Sequence, residues 1–255
     1  MSFKIIISPA KKMCEDLESI EPFGLPRYIE RTQDLADKIR TLSTSELKAL
    51  WKCNDGIVEQ NRMRFLMMDM TQRLTPAILS YEGIQYKYMA PAVFEESMLS
   101  YIQSHLYILS GFYGILKPMD GVVPYRLELQ AKLSMQGHKD LYDFWGRTLY
   151  EEVTAQVQVI INLASKEYSK SIEQYLKPED IFITCIFGEL VDGKVIQKGT
   201  YAKMARGEMV RFMAENQMES VEELKRFDRL GYQFDEERST KESFVFIKEN
   251  GVGSD

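Results

Sequence analysis

The sequence predicts an α/β fold in which a single domain, residues 1–255, has a central mixed sheet surrounded by helices. Short apolar, β-branched runs alternate along the chain with segments whose apolar residues recur at helical spacing. No repeat, low-complexity tract or Gly/Ser-rich linker divides the chain. The composition, with 45% hydrophobic and 27% charged residues, is typical of a globular protein with a sizeable core.

The N-terminal half is predicted to begin with a strand and to continue mainly in helices. The run "FKIIIS" (residues 3–8) has the length and β-branched content of a buried strand. Between residues 27 and 70 the apolar residues recur at helical spacing, and Ser43 with Glu46 matches a capping box. We expect a strand at "AILSY" (77–81) and a helix at "AVFEESMLSYIQSHL" (92–106).

The second half is predicted to alternate more regularly between strands and helices. The stretch "LYILSGFYGILKPMDGVVPYRLEL" (106–129) begins as an apolar strand and continues as a loop stiffened by glycines and prolines. Helices are expected at 141–157, 166–176 and 200–212, and strands at 159–165 and 243–249. The apolar runs 181–190 and 194–199 flank "VDG", which indicates a β-hairpin, and "SVEELKRF" (220–227) again has Ser and Glu three apart.

Composition and motifs exclude several classes of protein. The net charge of −6 is unlike that of a protein coated in basic residues for nucleic-acid binding, although residues 194–211 carry five bases against one acid. The three cysteines form no CxxC pair and there are two histidines, so we expect reduced thiols in a cytoplasmic protein, with no metal site and no cofactor. The apolar runs are too short to cross a bilayer, and the N-terminus has no signal-peptide pattern. Phosphate-loop, dinucleotide, zinc-protease and hydrolase motifs do not occur.

Two segments from the first half of the chain are candidates for a site. In "SPAKK", Ser8 and Lys11 follow the first strand, and ligands in α/β sheets bind at the carboxyl ends of strands. Lys11 could bind phosphate or act as an amine nucleophile; the alternative is a turn with solvated lysines. In "PYRLEL", Tyr125 and Arg126 lie in the stiff loop, where Arg126 could bind phosphate and Glu128 could act in acid/base catalysis or hold a basic partner. An Arg–Glu pair that merely ties the loop down is the alternative.

Two further candidates come from the second half. In "INLASKEYSK", Asn162 and Ser165 stand at a strand-to-helix junction, where free helix N–H groups bind anions, and Glu167 and Tyr168 follow. Ordinary helix caps use the same residue types. In "TYAKMARGEMVRF", the bases Lys203, Arg206 and Arg211 share one helical stretch. A glycine at 207, costly inside a helix, indicates close approach of backbone or ligand; a solvated basic face is the alternative reading.

Taken in order, six stretches give the sequence a resemblance to a known family. They are "IIISPAKKM", "LSGFYGILKPMDGVVPYRLEL", "LYDFWG", "INLASKEY", "GTYAKMARGEMVRFM" and "LKRFDRLGYQFDEERS". Over nearly its full length the chain resembles the YaaA family of bacterial peroxide-stress resistance proteins. It departs from the usual family pattern at Met204, where a second lysine is common, and at Lys166, where asparagine is common. It departs again at Lys12 and Met13, where Thr-Leu is common.

The resemblance implies an α/β fold with a positively charged cleft that binds DNA. It implies a response to hydrogen peroxide in which oxidative DNA damage is limited. Together with the basic segment 194–211 and the short apolar runs, we therefore expect duplex or branched DNA as the partner and no membrane association. Ser8, Lys11, Tyr125, Arg126, Asn162, Ser165, Tyr168, Lys203, Arg206 and Arg211 are then the expected DNA- or phosphate-binding residues.

An enzyme acting on a nucleotide or damaged base, a Lys-dependent lyase or a glycosylase-like protein, is the alternative. Its candidate catalytic residues are Lys11, Glu128 and Glu167, and its ligand would be a small phosphate-bearing molecule. The sequence leaves open whether the protein is catalytic, which DNA structure it prefers, its oligomeric state and any link to iron.

Overall fold

The computed structural model of the protein describes residues 2–248. The strands within that range are β1 (Phe3–Ile7), β2 (Lys12–Met13), β3 (Thr75–Pro76), β4 (Tyr81–Glu82), β5 (Leu106–Ser110), β6 (Gly114–Leu116), β7 (Gly121–Val122), β8 (Val159–Leu163), β9 (Ile181–Val191), β10 (Lys194–Ile196), β11 (Tyr232–Asp235) and β12 (Ser243–Lys248). The α-helices are α1 (Ile29–Arg40), α2 (Thr44–Trp51), α3 (Asp55–Met67), α4 (Ala77–Ser80), α5 (Ile84–Met89), α6 (Glu96–His105), α7 (Leu141–Trp145), α8 (Thr148–Thr154), α9 (Lys166–Glu173) and α10 (Gly199–Glu215). Short 3-10 turns lie at Pro91–Val93, Val221–Arg226 and Arg229–Gly231.

One mixed sheet forms the centre of the fold, in the order β11-β12-β9-β8-β1-β5-β6, with β10 paired to β9. The five strands from β12 to β5 run parallel, whereas β11, β6 and β10 pair antiparallel with their neighbours. All five residues of both β5 and β8 are buried, as expected for strands covered by helices on both faces. The predicted α/β architecture with a central mixed sheet is therefore confirmed.

The chain reverses its direction of travel across the sheet at β1. From β1 it crosses to β5 on one side, and it then returns to β8 on the other side of β1 before continuing outwards to β9 and β12. The carboxyl ends of β1 and β8 therefore meet where the strand order reverses. In open α/β sheets this switch point is where ligands bind.

Several local predictions are confirmed by the backbone. Ser43 and Glu46 form the capping box of α2, and Ser220 with Glu223 caps the 3-10 turn that follows. The β9–β10 hairpin turns through Asp192 and Gly193, which both have positive φ, as the turn signal requires. The terminal strand is present as β12; residue 249 of its predicted range lies outside the described residues.

Other local predictions are wrong. The expected strand at "AILSY" is the short helix α4 over its first four residues, because the N–H groups of Ala77 and Ile78 bond to the loop carbonyls of Asp120 and Pro118. The helix expected over 141–157 is two helices, α7 and α8, because Gly146 takes a positive φ between them. The helix expected over 92–106 is likewise divided into a 3-10 turn and α6.

None of the helices in the described range is both long enough and apolar enough to span a bilayer. The three cysteines are free thiols, with Cys185 buried and the other two half-buried. The assignment of residues 1–255 to one domain stays a prediction.

Candidate anion-binding site

The carboxyl ends of β1 and β8 are joined directly by a pair of serines. The Ser165 N–H donates to Ser8 Oγ (2.8 Å), and the two hydroxyls lie 3.2 Å apart. Tyr86 on α5 fixes the same edge from above, because its hydroxyl donates to the Ser8 carbonyl oxygen (3.0 Å). These contacts hold the two strand ends and α5 together at the switch point of the sheet.

The loop that carries Arg126 and Glu128 reaches this edge through a glycine. A Cβ at Gly111, directly after β5, would lie 2.4 Å from the Leu127 carbonyl oxygen, so a glycine is needed for the loop to pass here. Glu128 Oε1 then lies 3.1 Å from both Lys11 Nζ and Arg126 Nη2. These are ion-pair contacts without hydrogen-bond geometry at Oε1, which has no hydrogen-bond partner among the described residues. Glu128 thus holds two basic residues in place.

A second glycine positions the basic helix. A Cβ at Gly207 would lie only 2.1 Å from the Gln85 carbonyl oxygen, so α10 packs backbone to backbone against α5. Gln85 is itself tied to β8, since its Nε2 donates to the Leu163 carbonyl oxygen (3.4 Å). The close approach expected from a glycine within this helix is therefore to protein backbone, and it brings Lys203 and Arg206 to the strand ends.

These elements enclose a cavity of about 390 Å³. This volume is within the range of small-molecule sites, roughly 300 to 1,000 Å³. The cavity is lined by Ser8, Pro9, Ala10, Lys11, Lys12, Glu82, Gly83, Ile84, Gln85, Tyr125, Arg126, Leu127, Glu128, Ser165, Glu167, Tyr168, Lys203 and Arg206. Five of these side chains are cationic and three are carboxylates, which leaves a formal excess of two positive charges.

Arg206 differs from the other cations of the cavity. Burial lowers the pKa of its guanidinium, and its Nε, like that of Arg126, has no hydrogen-bond partner among the described residues. Its neighbour Cys185 supplies no counter-charge, because burial raises the pKa of that thiol to about 12. No carboxylate within residues 2–248 pairs with Arg206 or with Lys203. Arg206 is therefore a half-buried cation that pairs with no carboxylate in the described part of the chain.

Glu167, the second residue of α9, is a carboxyl group of the cavity whose pKa is raised. Its Oε1 accepts the Gln130 N–H (3.3 Å). Burial raises the pKa of its carboxyl, and the nearby charge of Glu128 acts in the same direction, while the backbone hydrogen bond and Lys11 oppose the shift. Glu167 is thus a carboxyl group that takes up a proton more readily than an exposed glutamate.

The two predicted tyrosines line the cavity from its buried side. The Tyr125 hydroxyl bonds to Tyr81 (2.7 Å) and Ser110 (2.6 Å), and burial raises its pKa to about 12. Burial also raises the pKa of Tyr168 well above its usual value. Both therefore stay neutral, and the hydroxyl of Tyr125 is already engaged within the protein.

Two predicted residues lie elsewhere. Asn162 faces a neighbouring groove, where its Nδ2 donates to Thr184 Oγ1 (3.2 Å) and its Oδ1 accepts the Ala164 N–H (2.9 Å). Arg206 lines this groove as well as the cavity, so the two adjoin. Arg211 contacts Glu215 (2.7 Å) and does not line the cavity. The other predicted residues are brought together at the cavity.

The sequence analysis missed the contribution of the segment 82–85. Glu82, Ile84 and Gln85 line the cavity, and a Cβ at Gly83 would lie 2.9 Å from the Ala10 Cβ. Gly83 was the residue in the sequence that could have indicated this close contact between the two segments. Among residues 2–248 no group of three or more His, Cys, Asp or Glu side chains is arranged to hold a metal ion.

Comparison with known proteins gives the family. A profile described as "Peroxide stress protein YaaA" matches residues 3–238. The chain belongs to the YaaA family of peroxide stress proteins. It is 56% identical over 243 residues to a UPF0246 protein of Agathobacter rectalis, covering 95% of this chain and 98% of the relative. A UPF0246 protein of Lachnoclostridium phytofermentans is 54% identical over 245 residues, covering 96% of both chains. A third, from Pediococcus pentosaceus, is 51% identical over 245 residues. The resemblance seen in the sequence motifs is confirmed.

Proposed function

We propose that this peroxide stress protein is cytoplasmic, binds DNA through the cations of the cavity and its rim, and thereby limits oxidative DNA damage. The observation that carries the proposal is Arg206, a half-buried cation without a counter-ion among residues 2–248. Partial burial of a charge without a partner is costly, so the retention of Arg206 is explained if an anionic ligand neutralises it. Lys203, exposed and one helical turn away, extends the positive charge to the rim.

The way in which the fold brings the basic residues together supports the same function. Lys11, Arg126 and Arg206 come from three separate parts of the chain, and the ion pairs to Glu128 and the Gly207 contact hold them at one edge of the sheet. Phosphate contacts made by such residues are independent of base sequence and weaken as salt rises, because binding releases counter-ions from the DNA.

The test is a titration of labelled duplex and branched DNA with the protein at several salt concentrations. Lys203→Glu together with Arg206→Glu is expected to abolish binding, because the change reverses both uncompensated charges. The matched control is Lys139→Glu with Lys241→Glu, two exposed lysines outside the cavity that give the same change in net charge. Equal affinity of the cavity variant and the control variant would contradict the proposal.

A second candidate function is an enzyme acting on a nucleotide or damaged base, and the acids of the cavity favour it. Glu128 and Glu167 lie among the cations, which a purely phosphate-binding surface does not require. In a lyase, the Lys11 amine would attack a deoxyribose aldehyde and lose water to give an imine. Lys11 Nζ lies 3.1 Å from Glu128 Oε1, so Glu128 would hold the Lys11 side chain in place for this attack.

Borohydride trapping on DNA that contains an abasic site tests this candidate. A covalent protein–DNA adduct that disappears with Lys11→Ala supports it. The absence of an adduct, or an adduct that survives Lys11→Ala, excludes the lyase.

A further inference from the structure

The charge balance of the cavity limits the kind of phosphate that fits it. Lys12 contacts Glu82 (2.7 Å), and Glu128 is shared by Lys11 and Arg126. Lys203 and Arg206 have no such partner within the described range, and the lining as a whole has a formal excess of two positive charges, five minus three. A phosphate monoester carries about −1.5 to −2 at neutral pH, whereas each internal phosphodiester of DNA carries one negative charge. The excess therefore matches a monoester.

The remaining walls are those of a site for an organic group attached to that phosphate. Ile84, which lines the cavity, is an apolar residue with 37% of its surface exposed. Ala10, Leu127 and Tyr168 add further apolar and aromatic surface to the lining. Glu167 places a carboxyl group among them. A site for a bare inorganic anion needs neither an apolar wall nor hydrogen-bond acceptors.

The size of the cavity favours a single nucleotide over a DNA duplex as the ligand. The cavity volume of about 390 Å³ is that of a small-molecule site, and a double helix can reach only its rim. One nucleotide combines the required features, since it has a dianionic phosphate, a flat base that packs on apolar and aromatic walls, and N–H or O–H donors for a carboxylate.

We propose that the cavity binds one nucleotide that carries a phosphomonoester, with the phosphate on Arg206 and Lys203 and the base against Ile84 and Tyr168. The inference deepens the proposed DNA binding and names the form of the ligand. Two sources provide this chemistry, a free nucleoside monophosphate and the phosphorylated terminal nucleotide of a broken DNA strand.

Calorimetric titration of the full chain tests the free source. The probes are deoxynucleoside 5′-monophosphates, the corresponding nucleosides and inorganic phosphate. We expect at least one monophosphate to bind at least about tenfold tighter than both its nucleoside and inorganic phosphate. Inorganic phosphate that binds as tightly as every monophosphate would overturn the inference, since the walls would then contribute nothing.

Duplexes with a single-stranded tail that ends in either a 5′-phosphate or a 5′-hydroxyl test the DNA source. At least about tenfold tighter binding of the phosphorylated end assigns the site to strand ends. Binding of monophosphates without any DNA binding keeps the inference and overturns the proposed function. DNA binding that ignores the terminal phosphate, together with no monophosphate binding at millimolar concentration, overturns the inference and keeps the proposed function.

Two cavity variants and one control variant test whether the phosphate lies on Arg206 and Lys203. Arg206→Met and Lys203→Ala are each expected to lose about tenfold or more in affinity for the phosphorylated probe, whereas Lys139→Ala is expected to be unchanged. Lys203 is exposed and makes no ion pair within the described residues, so its variant is expected to fold even if Arg206→Met does not. Unchanged affinity in Lys203→Ala and in a folded Arg206→Met would contradict the proposed phosphate position.

Discussion

The basic residues in the two halves of helix α10 differ in whether they contact acidic residues. In the second half, Arg211 contacts Glu215 (2.7 Å), and Arg229 from the chain beyond contacts Glu208 (3.3 Å) and Glu215. In the first half, Lys203 and Arg206 have no acidic partner among the residues that the structure describes. One helix therefore combines a neutralised structural network with charges that remain available to a ligand.

This difference follows from the helical spacing of acids. Arg211 has Glu208 three residues before it and Glu215 four residues after it, so partners lie on the same face. Residues three and four positions from Arg206 are apolar or basic, and the same positions around Lys203 hold no acid. A basic residue within a helix is thus a stronger candidate for ligand binding when its i±3 and i±4 neighbours include no acid.

The largest expected effect comes from the glycine that positions the first half. Gly207→Ala would place a Cβ 2.1 Å from the Gln85 carbonyl oxygen, so either α5 or α10 must move. We expect the free energy of unfolding to fall by about 3 kcal/mol, measured by urea denaturation. The control is Gly199→Ala in the same helix, where nothing lies within 4 Å of the added Cβ. Equal effects of the two changes would contradict the tight α5–α10 contact.

The next largest effect is expected from Asp120, a half-buried acid outside the cavity. Burial raises the pKa of Asp120 from 3.8 to about 6, partly opposed by the Lys117 N–H and charge. Because the folded pKa is raised, the stability that protonated Asp120 contributes is present below about pH 4 and is lost as pH rises through 6. Asp120→Asn should therefore gain stability relative to the parent as pH rises from 4 to 8, by on the order of 2–3 kcal/mol.

Asp120 and Arg206 differ in how they can respond to burial. A half-buried aspartate can become neutral by taking up a proton, whereas a guanidinium stays charged. A difference in stability between Asp120→Asn and the parent that stays constant from pH 4 to 8 would contradict the raised pKa.

Arg206→Met is expected to stabilise the free protein by about 1 kcal/mol, because an apolar side chain replaces a half-buried charge without a counter-ion among the described residues. Thermal unfolding in phosphate-free buffer measures this gain. A loss of stability of similar size would indicate that a protein group neutralises Arg206, and the contrast between the halves of α10 would fail.

Arg211→Met gives the smallest effect and the opposite sign. Its contact with Glu215 is about a third exposed, so we expect a loss of about 0.5 kcal/mol. The same thermal unfolding experiment measures it. A gain in stability equal to that of Arg206→Met would show that the two arginines are in equivalent environments.

The fold and most of the candidate site could be predicted from the sequence because their signals are local. Apolar runs, the Ser43–Glu46 capping box and the turn at Gly193 are each contained within a few residues. The strand-end position of Ser8 also follows from one short segment. The family motifs added the knowledge that distant segments belong together.

What could not be predicted depends on contacts between distant segments. The helix at 77–80 forms because its N–H groups bond to carbonyls some forty residues later in the chain. The role of Gln85 depends on a backbone contact with Gly207, and spacing along the sequence cannot reveal such a contact. The pairing of Arg211 was available in the sequence, since Glu215 lies four residues away.

The salt dependence of binding to DNA with a 5′-phosphorylated single-stranded tail tests whether Arg206 contacts a phosphate. The slope of log affinity against log salt counts the phosphate contacts, and each lost contact lowers it by about one. We predict that the slope falls by about one in Arg206→Met and is unchanged in Arg211→Met, although both changes remove one positive charge from the same helix. Equal slopes in the two variants would contradict a phosphate contact by Arg206.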